Sequence, residues 1–446
     1  MWIMTLMKYL PSMYIEDGQL ARHLKRLRKH YRNKSKRSGK SNPRENFNGA
    51  IVSIFKRNQT TIIKGTGQHM KSTFGEHIQI SLFGESHGAA IGVNINGLAP
   101  GIKLDLDLIR AQLNKRKPKG KISTQRQEAD EFEIVSGFFN GYTTGTPLCI
   151  FIRNQSQHSK DYEATKYLMR PSHADYTAFE KYGGFQDYRG GGHFSGRITA
   201  PLVAAGAICL QILKQKGITI ATHIASCKGV EDEPFGTTEE ALLKQADKLN
   251  DSYFPTISSQ VEQEMVQVIE QAHSNGDSVG GILETAIVNM PAGIGEPFFG
   301  SIESVLAHLL FSIPAVKGVE FGLGFGFANL FGSQANDPFV MKDKVCTTTN
   351  HNGGINGGIS NGMPIMIKTA VKPTPSIYQP QQTVDIQKRE NAQLQIHGRH
   401  DPAIIHRARV VVDSMVAIGL VDLFADRYGY MWMAPNEDNK ERNDVS

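Results

Sequence analysis

The 446-residue chain predicts a mixed α+β fold. Segments with strand alternation and segments with helical spacing follow one another without a clean strand-helix-strand repeat, which favours α+β over a doubly wound parallel sheet. The turn signals "FNGY" and "TTGTP" at 139–147 separate two apolar runs, as in an antiparallel hairpin. A composition of 40% hydrophobic and 21% charged residues is that of an ordinary globular protein, long enough for roughly two to three domain-sized units.

The elements run in order from residue 71. "HIQISLF" (77–83) alternates as a half-exposed strand and "AIGVNING" (90–97) continues as a second. "LDLDLIRAQLNKRKP" (104–118) is a helix opened by aspartates and stopped by Pro118. "EFEIVSGFFNGYTTGTPLCIFIRN" (131–154) supplies the hairpin strands. "RITAPLVAAGAICLQILKQKG" (197–217) is a buried helix ended by Gly217, and "ITIATHIASCKG" (218–229) is a strand. "SSQVEQEMVQVIEQAHSNGD" (258–277) is an amphipathic surface helix capped by serine and closed by Asn-Gly. The strand "GGILETAIVNM" (280–290) precedes a helix, "SIESVLAHLLFSIPAVKG" (301–318), that stops at Pro314. "DPAIIHRARVVVDSMVAIGLVDLFADRYG" (401–429) is a long helix with a broad apolar face.

Charge divides the chain. Residues 1–70 carry 15 Lys and Arg against 3 Asp and Glu, a net of +12, and the remaining residues carry 34 against 40, a net of −6. The run "RHLKRLRKHYRNKSKR" has one aromatic, Tyr31, among its basic residues, so a solvated charge run is favoured over a nucleic-acid arm. Basic residues follow the short apolar start instead of preceding it, unlike a signal peptide. Residues 1–70 are expected to be a dispensable, poorly ordered extension or a misassigned start ahead of Met70, and 436–446 a polar tail. Cys149, Cys209, Cys227 and Cys346 are widely spaced, which suggests neither zinc site nor disulfide framework, fits a reducing cytoplasm and leaves no metal expected. The longest apolar run, "APLVAAGAICLQIL", is short for a bilayer span, so no membrane association is expected.

Five loops rich in Gly, Arg and His punctuate this pattern: "GESHG" (84–88), "NKRKPKGK" (114–121), "RPSHAD" (170–175), "DYRGGGHFSGR" (187–197) and "GRHDPA" (398–403). "NGGINGGISNGMPI" from Asn352 lacks the Gly-Lys-Ser/Thr of a P-loop and the spacing of a dinucleotide fingerprint, and "GLGFGF" from Gly322 reads as a packing turn. Arg116, Lys121, Arg170, Arg197 and Arg399 are spread over four of these loops, a distribution suited to surrounding a polyanionic small substrate, since guanidinium forks bind carboxylate and phosphate bidentately. His87 and His173 are natural general acids near neutral pH and Asp401 a candidate base; each histidine reads equally as a hydrogen-bonded structural imidazole.

The motifs "STFGEHIQISLFGESHGAAIGVNINGLAPG", "EADEFEIVSG", "GTP", "RPSHADYT", "KYGGFQDYRGGG", "SIPAVKGVEFG", "GGISNGMPI", "KPTPSI" and "GRHDPAIIHRA" stand in one order over 71–430, and in these the chain resembles the chorismate synthase family. The resemblance implies a sandwich of sheets around a helical layer, with 71–435 as the catalytic domain, a homotetramer, and conversion of 5-enolpyruvylshikimate 3-phosphate to chorismate and phosphate with reduced FMN that is not consumed. NADPH then enters only as the reductant used by an external flavin reductase.

Carried over by motif, His87 would protonate the departing phosphate, His173 the reduced flavin, and Asp401 would assist removal of the ring proton. Ser86, Arg116, Lys121, Arg170 and Arg197 match the substrate-binding positions. His193, Phe194, Ser195, Pro314, Ala315, Gly357, Lys372, Pro373, Thr374, Pro375, Ser376 and Arg399 match the flavin-binding positions. The chain departs from the common family pattern in "RGGGHFSGRIT", where His193 replaces an arginine, Phe194 a serine and Ile198 a glutamate, and at His406, where proline is common. The rival readings are a phosphate-loop kinase, a nucleic-acid-binding protein built on the basic arm, and a flavin-binding member with impaired catalysis.

Overall fold

The computed structural model describes residues 72–120, 122–123, 129–155, 163, 165–396 and 400–435. The readings of 1–70 and 436–446, and those of Lys121 and Arg399, lie outside the described residues. Two five-stranded sheets form the frame. The first contains β1 (Thr73–Phe74), β2 (Gln79–Gly84), β3 (Ala90–Asn96), β4 (Phe132–Ser136) and β5 (Leu148–Arg153), in the order β1-β2-β3-β5-β4. The second contains β6 (Thr219–Cys227), β7 (Val230–Glu231), β8 (Gly281–Val288), β9 (Val316–Phe321) and β10 (Ile365–Val371), in the order β9-β10-β8-β6-β7. Every strand pair in both sheets is antiparallel. The absence of a βαβ period in the sequence has this physical outcome, because parallel neighbours need a crossover that the segment order does not provide.

Between the sheets lie helices α1 (Leu106–Arg116), α3 (Thr199–Gln215), α6 (Ile302–Ser312) and α7 (Ile405–Tyr428), whereas α2 (Asp175–Tyr182) follows the RPSHAD loop. α3 packs on β3 and β5 of the first sheet, α7 packs on β6 and β8 of the second, and the two helices pack on each other. At their closest approach a Cβ added to Gly206 would fall 2.6 Å from Ser414 Cα, so only glycine admits this spacing. Outside the second sheet, α4 (Glu239–Asp251) covers β6 and β8, with Leu242 and Leu249 packed on Ala286 and Val288. β8 is therefore enclosed on both faces, which explains why its apolar residues do not alternate with polar ones. The expected hairpin turns at Phe138–Phe139 and Tyr142–Thr143, which pair with each other.

Capping follows the sequence closely at α1, where Asp105 Oδ1 accepts from Leu108 N at 2.8 Å. At α5 (Ser259–Ser274), Ser258 holds the N-cap position but its hydroxyl makes no capping hydrogen bond. A larger difference lies in α7, where burial extends over every residue from Ala408 to Ala425 instead of one broad face. Its charged residues are matched internally. Arg409 bonds Asp413 at 3.2 Å and the carbonyls of Leu249 and Ser252 at 3.0 and 2.7 Å, and Asp422 accepts from the amides of His77 and Ile78 at 2.8 Å each. The segment Gly196–Gln215 is long and apolar enough to cross a membrane, but 72% of its apolar 18-residue window is buried within the protein, as a central core helix requires.

Candidate active site

The site is built on the loop after Tyr188. Gly190, Gly191 and Gly192 take φ values of 57°, 88° and 54°, three successive left-handed residues that L side chains rarely adopt. This bends the chain against two histidines. A Cβ at Gly190 would fall 2.5 Å from His87 Nδ1, and one at Gly191 would fall 3.2 Å from His173 Cε1 and 3.4 Å from its Nε2. One glycine turn thus brings together two candidate acids 86 positions apart in sequence.

His87 follows β2 and is 3% exposed. Ser86 N donates to Gly192 O at 3.1 Å, closing the GESHG loop on the glycine turn. The Ser86 hydroxyl donates to Arg189 O at 3.2 Å and lies 3.1 Å from His87 Nδ1. With that hydroxyl proton committed to the carbonyl, Nδ1–H donates to Ser86 Oγ, which makes Nε2 the exchanging nitrogen. His173 is set differently. Its Nδ1 lies 2.8 Å from Asp175 Oδ1, and Arg170 binds the same carboxylate through Nε and Nη2, each at 2.7 Å. Burial alone would raise the Asp175 carboxyl, but His173 and Arg170 override it and hold it well below the ordinary carboxylate range.

Arg116 and Arg197 meet on Asp130, a residue 6% exposed. Arg116 Nη2 bonds Oδ2 at 2.9 Å and Arg197 Nη1 bonds Oδ1. Burial opposes ionisation of Asp130, yet the two guanidiniums keep its carboxyl below the ordinary range. Arg197 Nε also donates to Asn154 Oδ1 at 3.2 Å, and Asn154 Nδ2 donates to the carbonyls of Glu85 and Gly88 at 3.0 and 2.9 Å. The cation pair and the His87 loop are therefore braced through one asparagine. Asp401 accepts from Arg407 Nη1 at 2.8 Å, and Arg407 Nε donates to Arg116 O at 2.8 Å.

The flavin-matched positions fall into three places. His193 is tied by Nδ1 to Gly84 O at 2.8 Å and by Nε2 to Ser72 Oγ at 3.2 Å, Phe194 meets Tyr182 edge-on at 6.0 Å, and Ser195 Oγ accepts from Arg197 N. Pro314 and Ala315 adjoin the 372–376 segment through Lys372 N, which donates to Ala315 O at 2.9 Å. Lys372 Nζ donates to Ser172 O at 2.7 Å, so this segment lies beside His173. Gly357 lies in the turn next to Gly358, whose Cβ would meet Ser301. Buried Thr374 Oγ1 has no hydrogen-bond partner among the described residues, and Pro373, Pro375 and Ser376 flank it. An orphan hydroxyl in a segment carrying a lysine fits the polar edge of a flavin.

Asp130, Asp175, Asn154 and Arg407 are site residues that the sequence reading did not single out. Asp175 stands inside RPSHAD and Asp130 inside "EADEFEIVSG", so their motifs were visible, but the partners that give them roles are fixed only by the fold. No group of three or more His, Cys, Asp or Glu suited to a metal ion occurs among the described residues.

Comparison with known proteins identifies the family. The family model described as chorismate synthase matches residues 78–425. The chorismate synthase of Dehalococcoides mccartyi is 46% identical over 356 residues, covering 79% of this chain and 96% of that protein. That of Thermococcus gammatolerans is 45% identical over 354 residues, covering 78% and 96%. A crystal structure of chorismate synthase superposes with a TM-score of 0.63 at 29% identity, covering 80% of this chain and 94% of that one. The motifs read along the chain, the sheets enclosing helices and the extent of these matches lead to one conclusion: the chain belongs to the chorismate synthase family.

Proposed function

We propose that this protein eliminates phosphate from 5-enolpyruvylshikimate 3-phosphate to give chorismate, in a reaction that requires reduced FMN. The observation that carries the reading is the convergence of His87 and His173 on one glycine turn, braced to the Arg116–Asp130–Arg197 cluster. The reaction breaks one C–O bond, releases phosphate and removes one ring proton, with no net redox change. Reduced FMN supplies electron density for C–O cleavage that the twenty side chains lack. Lys372, Pro373, Thr374, Pro375 and Ser376, with Pro314, Ala315, Gly357, His193, Phe194, Ser195 and Arg399, would hold it.

The protein's own contribution is charge, placement and protons. Arg116, Arg170, Arg197, Lys121 and Ser86 bind a substrate carrying phosphate and carboxylates, offsetting the large penalty of burying those anions. Ser86 orients His87 so that Nε2 holds the proton for the departing phosphate. Asp175 fixes the His173 ring through Nδ1, leaving Nε2 on the side of Gly191. Arg407 holds the Asp401 carboxylate in place to assist loss of the ring proton. The enzyme acts as a homotetramer in the cytoplasm, classed as a carbon-oxygen lyase, and receives reduced flavin from a separate reductase that uses NADPH.

The decisive experiment is anaerobic measurement of phosphate release from the substrate with reduced FMN. Turnover supports the reading. Flavin binding without phosphate release would leave a non-catalytic member of the family instead, and loss of activity on deleting residues 1–69 would favour a function carried by the basic arm.

A further inference from the structure

His406, in the first turn of α7, is buried between rings, stacked on Phe254 at 5.8 Å and edge-on to Tyr253 at 5.3 Å. Its Nε2 lies 2.8 Å from Ser123 Oγ, and that oxygen lies 3.2 Å from the Tyr253 hydroxyl. The Tyr253 hydroxyl in turn accepts from Lys119 N at 2.8 Å and donates to Lys117 O at 3.3 Å, while Lys119 Nζ sits 5.0 Å over its ring. The next residue, Arg407, donates from Nε to Arg116 O. Two consecutive residues of α7 therefore hold the chain at 116 and 123, and Tyr253 joins Ser123 to 117 and 119.

The directions of these bonds close on one another. Burial, with the neighbouring Arg407, pushes the His406 imidazolium down to about 3, so the ring is neutral at physiological pH. Nδ1 is buried without a partner among the described residues, which places the ring hydrogen on Nε2, where it donates to Ser123. Ser123 then donates to Tyr253, and Tyr253 to Lys117 O. Each hydroxyl gives its single proton once, and the chain ends on a backbone carbonyl.

We propose that His406, Ser123 and Tyr253 are positioning residues that fix the backbone of residues 116–119, and through it the Arg116 guanidinium, for binding of the anionic substrate. This rests on the substrate-binding role given to Arg116 above. A ring that only filled space would need no partner at Ser123, and a phenylalanine would serve equally well.

The test uses the full chain and the variants His406→Phe, His406→Gln, Ser123→Ala and Tyr253→Phe, read in two ways. The first readout is independent of catalysis: limited trypsin digestion, with mass spectrometry following cleavage at the exposed Lys119–Gly120 bond. His406→Phe and Ser123→Ala are expected to speed that cleavage about threefold to tenfold, as loss of one buried hydrogen bond predicts, and His406→Gln, which restores a donor near Nε2, to return it toward the wild-type rate. The second readout is steady-state kinetics, where KM for the substrate should rise by a similar factor while kcat holds within about twofold.

Unchanged cleavage in folded Ser123→Ala overturns the proposal, and so does faster cleavage with unchanged KM. If His406→Phe does not fold, Ser123→Ala and Tyr253→Phe carry both readouts. Wild-type protein that releases no phosphate refutes the proposed function instead, and the digestion still decides whether the relay fixes the loop.

Discussion

Gly190 lies so close to His87 that a methyl group on its Cα would fall 2.5 Å from the imidazole Nδ1. Gly190 is also left-handed, with φ 57°, so a side chain there is strained as well as crowded. Gly190→Ala should therefore displace His87 and cut kcat by about 10² or more, the scale of a lost general acid. Steady-state phosphate release, with circular dichroism to confirm folding, checks it; turnover near wild type would show that His87 has no catalytic part.

The two histidines should separate by what each protonates. His87→Ala should lower turnover by about 10² to 10⁴ and leave reduced-flavin binding intact. His173→Ala should instead change the protonation state of bound reduced flavin, because it removes the imidazole held by Asp175. Anaerobic spectra of both variants with substrate, over a range of pH, distinguish them. An unaltered flavin spectrum in His173→Ala would return that residue to a structural role.

Asp130 is the shared counter-ion of two buried guanidiniums. Asp130→Asn leaves both cations without it and should cost about 3–5 kcal/mol at pH 7, read by urea unfolding. The sign with pH follows from its lowered carboxyl. A carboxylate held below its unfolded value stabilises the fold above about pH 4, and that stability is lost as pH falls toward the folded value. Stability of Asp130→Asn should accordingly depend less on pH below about 4 than wild type does, and equal acid limbs would contradict the pairing.

His406 makes a prediction in a different window. Its folded value, about 3, lies below the ordinary 6.5, so protonation favours the unfolded chain. The stability it contributes is complete above pH 6.5 and erodes as pH falls from there toward 3, by up to about 1.4 kcal/mol per pH unit. His406→Gln should flatten stability between pH 6 and pH 4. Retention of the wild-type slope would mean that His406 is already charged in the folded protein.

How much of this was legible depended on the kind of residue. His87, His173 and the glycine turn were singled out because their Gly-, Arg- and His-rich loops interrupt the apolar periodic segments. Asp130 and Asn154 were not, because their roles come from partners 14 to 69 positions away. The arginines illustrate the same limit. Sequence placed Arg116 and Arg197 in separate loops, but only the fold brings them onto one carboxylate. The secondary structure was legible wherever one face met solvent, whereas α7, read as a helix with one broad apolar face, also buries Arg409, Asp413 and Asp422 with their own partners.

A helix without a solvent face changes where this protein can vary. From Ala408 to Ala425 there is no position at which a bulky or polar newcomer would project into water, so nearly every replacement there must be answered by a neighbour in α3, α6 or the second sheet. Inherited change and deliberate engineering alike are steered toward the rims of the sandwich, where insertions and altered specificity can accumulate around a middle layer that stays the same.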